Sequence, residues 1–171
     1  AHPNHWRLIQ SPPAQGDWNM ALDEAILEAV GRGESLPTLR FYAWSPPCIS
    51  LGVAQSIRDV DLKRLRTKRW DLVRRSTGGR AILHTDELTY AVIAPMDNPH
   101  LTGGVLESYR HLSTGLVAGL LLMSMSVEIE PEKQLPEEER GNPVCFQAPS
   151  AYEITVNQRK LLGSAQVRRR Y

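Results

Sequence analysis

Cysteine is scarce here. Only Cys48 and Cys145 occur in 171 residues, far apart, which excludes a disulfide framework and suits a reducing cytoplasm. Aromatic residues are also few, and none interleave the basic run from Lys63 to Arg69, so a base-stacking nucleic-acid surface is not expected. No apolar run approaches the roughly 20 residues that span a bilayer, and no membrane partner is expected. The longest, Leu116 to Met123, is interrupted by Gly119 and reads as part of a buried helix. Ala1-His2-Pro3-Asn4-His5 has no cationic stretch leading into an apolar one, so no secretory signal is expected.

What is present is a globular composition. With 42% hydrophobic and 23% charged residues, the chain can close one core, and a disordered tail is excluded. The net charge is only +1, but it is unevenly placed. Arg58, Lys63, Arg64, Arg66, Lys68, Arg69, Arg74, Arg75 and Arg80 crowd one segment, opposed by Asp59, Asp61 and Asp71. Such a segment either meets an acidic partner or forms a solvated face.

The periodicities predict an α+β fold, a mixed β-sheet with packed helices, in a single domain spanning residues 1–171. Gly16 to Val30 is a predicted helix, with Asp17 as N-cap, a stripe of Trp18, Leu22, Ala25, Ile26 and Ala29, and Gly31 and Gly33 as the stop. Thr38–Trp44 and Cys48–Val53 are predicted strands. Ser56–Arg69 reads as one amphipathic helix with Ser56 and Asp59 as a rough capping box. Asp71–Arg75 and Leu88–Ala94 are predicted strands on either side of a glycine turn. Val105–Met123 is a long helix whose stripe is Leu106, Tyr109, Ser113, Leu116, Val117 and Leu120. Val127–Glu130 and Ala151–Val156 are strand candidates around a Pro-rich loop.

Three segments carry possible chemistry. In Arg74-Arg75-Ser76-Thr77-Gly78-Gly79-Arg80-Ala81-Ile82-Leu83-His84, paired glycines permit positive φ and a close approach of ligand to backbone, with N–H groups free to face an anion. An ordinary hairpin turn would use the same residues, and His84 is equally a hydrogen-bonded structural histidine. Cys145 lies on a loop, Gly141 to Ser150, where a thiolate would be a strong nucleophile if cations lowered its pKa. Cys48, in the apolar strand Cys48-Ile49-Ser50-Leu51, reads as a buried inert thiol. Asn157-Gln158 forms a tight turn, and Lys160 enters a strand ending at Gly163-Ser164-Ala165, pointing either into a pocket or into water.

Taken together, Arg74 to His84 with Glu87-Leu88-Thr89-Tyr90, Asn19-Met20-Ala21-Leu22-Asp23-Glu24, and Arg159 to Gln166 resemble the lipoate–protein ligase and octanoyltransferase superfamily. The motifs occur in the family's order and cover almost the whole chain. The resemblance implies the mixed-sheet fold shared with the biotin protein ligase catalytic domain. ATP-dependent ligases usually carry a third glycine where this chain has Arg80, and Asp-x-Gly-Asn where it has Thr85-Asp86-Glu87-Leu88. Cys145 to Glu153 instead resembles the cysteine-dependent octanoyltransferases of the Gram-positive type.

That likeness implies two-step acyl transfer. Cys145 takes an octanoyl group from octanoyl-acyl carrier protein and passes it to a lysine of an acceptor domain such as the glycine-cleavage H protein. Lys160 organises the acyl carbonyl or the incoming amine. Arg75, Thr77, Gly78, Gly79, His84, Gly163, Ser164 and Ala165 line the substrate site. No metal or other cofactor is implied; ATP and magnesium enter only if the chain is instead an ATP-dependent ligase. A lipoyl or octanoyl amidotransferase acting between carrier domains is a further alternative, and a non-enzymatic acyl- or nucleic-acid-binding module the least favoured. Family members generally continue well past the point where Tyr171 falls, so the expectation is a catalytic domain lacking its C-terminal part.

Overall fold

The structure, a computed structural model, describes residues 5–129, 154–157 and 159–171. The chain groups into two compact units, one formed by Ala1–Pro95 with Val167–Tyr171 and the other by Met96–Gln166. The expected mixture of helices and mixed sheets is what the chain forms.

The first unit holds two three-stranded sheets. In one, β2 (Thr38–Tyr42) pairs in parallel with β1 (Arg7–Gln10) and antiparallel with β6 (Thr89–Ile93). In the other, β3 (Cys48–Leu51) is flanked by β4 (Asp71–Arg74) in parallel and β5 (Ile82–His84) antiparallel. β5 had no expectation of its own, and it changes the meaning of the glycine segment. The loop from β4 to β5 steps over β3 and is not a hairpin turn.

Helix α1 (Gly16–Gly31) packs Ile26 and Val30 against Ile93, with Ile9, Leu22, Leu27 and Ala91 around them. The predicted stripe is partly corrected: Trp18 is 64% exposed. The inward positions nearer the N-terminus are polar instead. Fully buried Asn19 sits there, followed one turn later by Asp23, and both meet Arg40 of β2. Asp17 is not the N-cap. Gln15 holds that position without a side-chain bond, and the Asp71 carboxylate of β4 accepts from the Gly16 N–H at 3.1 Å. A carboxylate arriving from the sheet does the work a local cap would do. At the far end Gly33, at φ 75°, closes the helix as expected.

The single helix expected over Ser56–Arg69 is two pieces. Ser56 Oγ accepts from Arg58 N and starts a 3-10 turn, Ile57–Asp59. Asp61 Oδ1 then accepts from Arg64 N at 2.9 Å and starts α2 (Leu62–Lys68), where only Leu65 is buried. Two competing caps five residues apart divide the run.

In the second unit, α3 (Val105–Leu122) begins where Gly104 N donates to Glu107 Oε2. Its buried positions are Ser108 and Ser113, while Leu106, expected in the apolar stripe, is 43% exposed. Ser108 lacks bulk, which lets Gln166 reach its hydroxyl at 3.1 Å. The unit also contains an antiparallel sheet of β7 (Glu128–Ile129), β8 (Ile154–Val156) and β9 (Arg159–Leu162). Asn157, at φ 50°, provides the tight turn into β9, a conformation asparagine tolerates better than most residues.

Candidate functional site

The glycine loop is held from below by arginines. Arg75 Nη1 donates to the Ser50 carbonyl at 2.8 Å and to Ser50 Oγ at 3.0 Å, and its Nη2 donates to the carbonyls of Gly78 at 2.9 Å and Arg80 at 2.7 Å. Arg74 Nη1 donates to the carbonyls of Gly52 and Gln55, both at 2.7 Å. Thr77 contributes its carbonyl, which accepts from Val53 N at 2.9 Å. Gly79 has φ 89°, and an added Cβ on Gly52 would stand 2.0 Å from the Gly79 carbonyl oxygen. Both glycines are therefore required, one by its backbone angle and the other by close approach. Arg75, expected to line the substrate site, spends its guanidinium on the loop's main chain.

His84 is buried beside this loop. Its Nε2 lies 2.7 Å from Ser50 Oγ and its Nδ1 lies 2.5 Å from Glu87 Oε1. The Trp44 indole stacks on the imidazole, with centroids 4.1 Å and planes 14° apart. Thr89 Oγ1 donates to Glu87 Oε1 at 2.9 Å and accepts from Trp44 Nε1 at 2.7 Å. Burial alone would raise the Glu87 carboxyl, but the hydrogen bond and the charge of His84, and then the hydrogen bond from Thr89, outweigh it and hold the group below its ordinary value. Ser50, Glu87, Thr89 and Trp44 had no expected role. The legible signal was period-2 alternation in Cys48-Ile49-Ser50-Leu51, which turns Ser50 to the same face as Cys48.

Cys48 is fully buried in the cluster with Tyr42 and Trp44. Burial chiefly, then the nearby charges of Asp71 and Asp17, push its thiol up to about 12. This is an inert sulfur, as the sequence suggests.

In the second unit, Lys160 is half-buried on β9 and lines an open concavity of about 510 Å³ with Val156, Asn157, Arg159 and Leu161. It stands opposite Thr155 of β8 beside a bulge in the register. After β9, Tyr109 Oη of α3 donates to the Ser164 carbonyl at 2.6 Å, so Gly163, Ser164 and Ala165 run along a segment tethered at Ser164 and Gln166. Arg75, Gly78 and His84 are thus joined in one network, while Lys160 and the Gly163–Ala165 segment lie together in the other unit. Cys145 lies outside the described residues. Among the described residues no cluster of His, Cys, Asp or Glu could hold a metal ion, and no helix is long and apolar enough to cross a membrane.

The fold is that of solved lipoate–protein ligase structures. A candidate lipoate protein ligase from Thermoplasma acidophilum superposes with a TM-score of 0.77 at 24% identity, over 97% of this chain and 64% of that one. Lipoate-protein ligase A bound with ATP gives 0.72 at 22%, over 97% and 62%. Residues 15–171 match the lipoyl protein ligase A/B catalytic domain, and the chain belongs to that family. Among its relatives, the octanoyltransferase LipM of Moorella thermoacetica is 48% identical over 165 residues, covering 96% of this chain and 60% of its own length. The octanoyltransferase LipM of Clostridioides difficile is 43% identical over 167 residues, covering 97% and 62%. The chain spans about 60% of the length of these relatives.

Proposed function

We propose that this protein is an octanoyltransferase of lipoate assembly, using Cys145 as acyl acceptor. The observation that carries the reading is the 48% identity to an octanoyltransferase along nearly the whole chain. The Cys145 thiolate attacks the carbonyl carbon of octanoyl-acyl carrier protein, forming a C–S bond as the carrier's C–S bond breaks. The departing carrier thiolate takes up a proton. The lysine amine of an acceptor domain such as the glycine-cleavage H protein then attacks the octanoyl-S-enzyme, loses its proton, and releases Cys145. Exchange of thioesters is close to thermoneutral, and amide formation makes the sequence run forward.

Lys160 supplies a positive charge for the acyl oxygen or accepts the amine proton. Gly78, Gly79, Thr77, Gly163, Ser164 and Ala165 border the acyl chain, and Arg75 and His84 shape the loop that touches it. The transfer needs no nucleotide, and it belongs in the cytoplasm, where a free Cys145 thiol stays reduced. The exposed basic face of α2, with Lys63, Arg64, Arg66 and Lys68, is the docking surface for the acidic carrier.

Intact mass measurement after mixing with octanoyl-acyl carrier protein tests this. The expected result is the gain of one octanoyl group without ATP, abolished in Cys145→Ser. A strict ATP requirement with labelling retained in Cys145→Ser would replace the reading with a ligase. Labelling by octanoylated H protein in place of the carrier would make the enzyme an amidotransferase.

A further inference from the structure

The sheet of β7, β8 and β9 lines up three side chains on one face. Glu128 pairs with Thr155, and Thr155 pairs with Lys160. Directly opposed residues of antiparallel strands share a face, with Cβ atoms about 5 Å apart. Val156 and Arg159, the next pair, turn to the other face. Along the row, burial runs from exposed Glu128 through fully buried Thr155 to half-buried Lys160. On the far side of Lys160 the register skips Leu161, because Ile154 pairs with Leu162. A bulge of this kind re-aims the side chain beside it, and such bulges gather next to working sites.

The middle of the row holds a hydroxyl with nothing to bond. Thr155 Oγ1 is buried and has no hydrogen-bond partner among the described residues. A buried hydroxyl left open is destabilising, and valine, of nearly the same shape, would fill the place without that cost. Strand propensity gives no reason to prefer threonine, since both residues are β-branched. The neighbour across the strand is a lysine amine, whose three N–H groups turn on a flexible four-carbon stem. Hydrogen bonds of a working site are often open in the free protein and close in the bound complex. Thr155 is too deeply buried to meet a substrate itself, so its access to chemistry runs through Lys160.

We propose that Thr155 is a positioning residue for Lys160. Its hydroxyl accepts one N–H of the ammonium, which fixes the direction of the other two and favours the charged form. The proposal rests on the octanoyl-transfer reading, in which Lys160 serves the acyl oxygen as a cation. Thr155 touches no reacting atom. Glu128, the other ionisable group of the row, is exposed, and water screens its charge.

The experiment follows single-turnover acylation of the full chain by octanoyl-acyl carrier protein across pH, alongside thermal melts. Thr155→Val should melt at the parent temperature or up to about 4 °C above it, because an open hydroxyl is removed. The same variant should be acylated about tenfold more slowly. Its alkaline limb, set by loss of the Lys160 charge, should fall at lower pH than the parent's. Thr155→Ser keeps the hydroxyl and should recover the rate to within about twofold. Glu128→Gln should match the parent in rate and in alkaline limb. A lower melting temperature in Thr155→Val would show the hydroxyl bonded within the fold, and a parent-like rate or limb would show Lys160 placed without it. Either result overturns the proposal, as does a Glu128→Gln variant that reproduces Thr155→Val. A parent protein that takes up no octanoyl group removes the transferase reading and the role of Thr155 with it, whereas an active parent matched by Thr155→Val removes that role alone.

Discussion

Arg40 is the most demanding side chain in the first unit. It is fully buried, its guanidinium bonded to Asp23 at 2.6 Å, to Asn19 Oδ1 at 2.8 Å and to Ser11 Oγ at 3.1 Å, and it lies 4.0 Å over the Tyr42 ring. Removing one partner strands a buried charge, so Asp23→Ala should lower unfolding stability by about 3–5 kcal/mol in urea titrations. The sequence showed Asn19 and Asp23 only as parts of a motif. Their inward placement was hidden because apolar periodicity assigns polar residues to solvent, and here they answer an arginine from another strand. Cys48 was more legible. With its thiol raised to about 12, Cys48 should resist iodoacetamide at pH 8 in the folded protein and react only after unfolding. Glu87 carries a pH consequence of opposite sign. Its folded value lies below the ordinary 4.5, so its contribution to stability is present above that pH and is lost as acid protonates it. Thermal melts should show a flatter acid limb in Glu87→Gln.

At the scale of elements, starts and stops were harder to read than faces. The periodicity of Ser56 to Arg69 is continuous, but Ser56 and Asp61 each satisfy a nearby N–H and compete to begin a helix. Strand β5 escaped notice because three residues show too little alternation to separate from a loop. The helix stop at Gly33 and the turn at Asn157 were legible, since both need a left-handed backbone. The first turn of α1 was not, because its cap arrives from β4. Asp71→Ala should cost about 1 kcal/mol in chemical denaturation, as loss of a cap does. Gly16→Ala should cost about 1–3 kcal/mol, since its Cβ would stand 2.6 Å from Cys48 Sγ and 2.8 Å from Val73 Cγ1.

Across the whole molecule, charge is divided between two duties that the sequence does not distinguish. Arg74 and Arg75 belong to the same basic run as α2, yet they bind main-chain carbonyls inside the loop, whereas Lys63, Arg66 and Lys68 stay at the surface. Reversing those three to glutamate should raise the donor concentration needed for half-maximal acylation by about tenfold at low salt. The difference should vanish toward 1 M salt, where screening shortens to about 3 Å. The bond from Gly16 to Asp71 spans 55 positions of chain. During synthesis the opening turn of α1 therefore leaves the ribosome with its amide unclaimed and waits for β4 to follow. A nascent chain halted before Asp71 should show rapid deuterium uptake at Gly16, and one extended past β4 should close it.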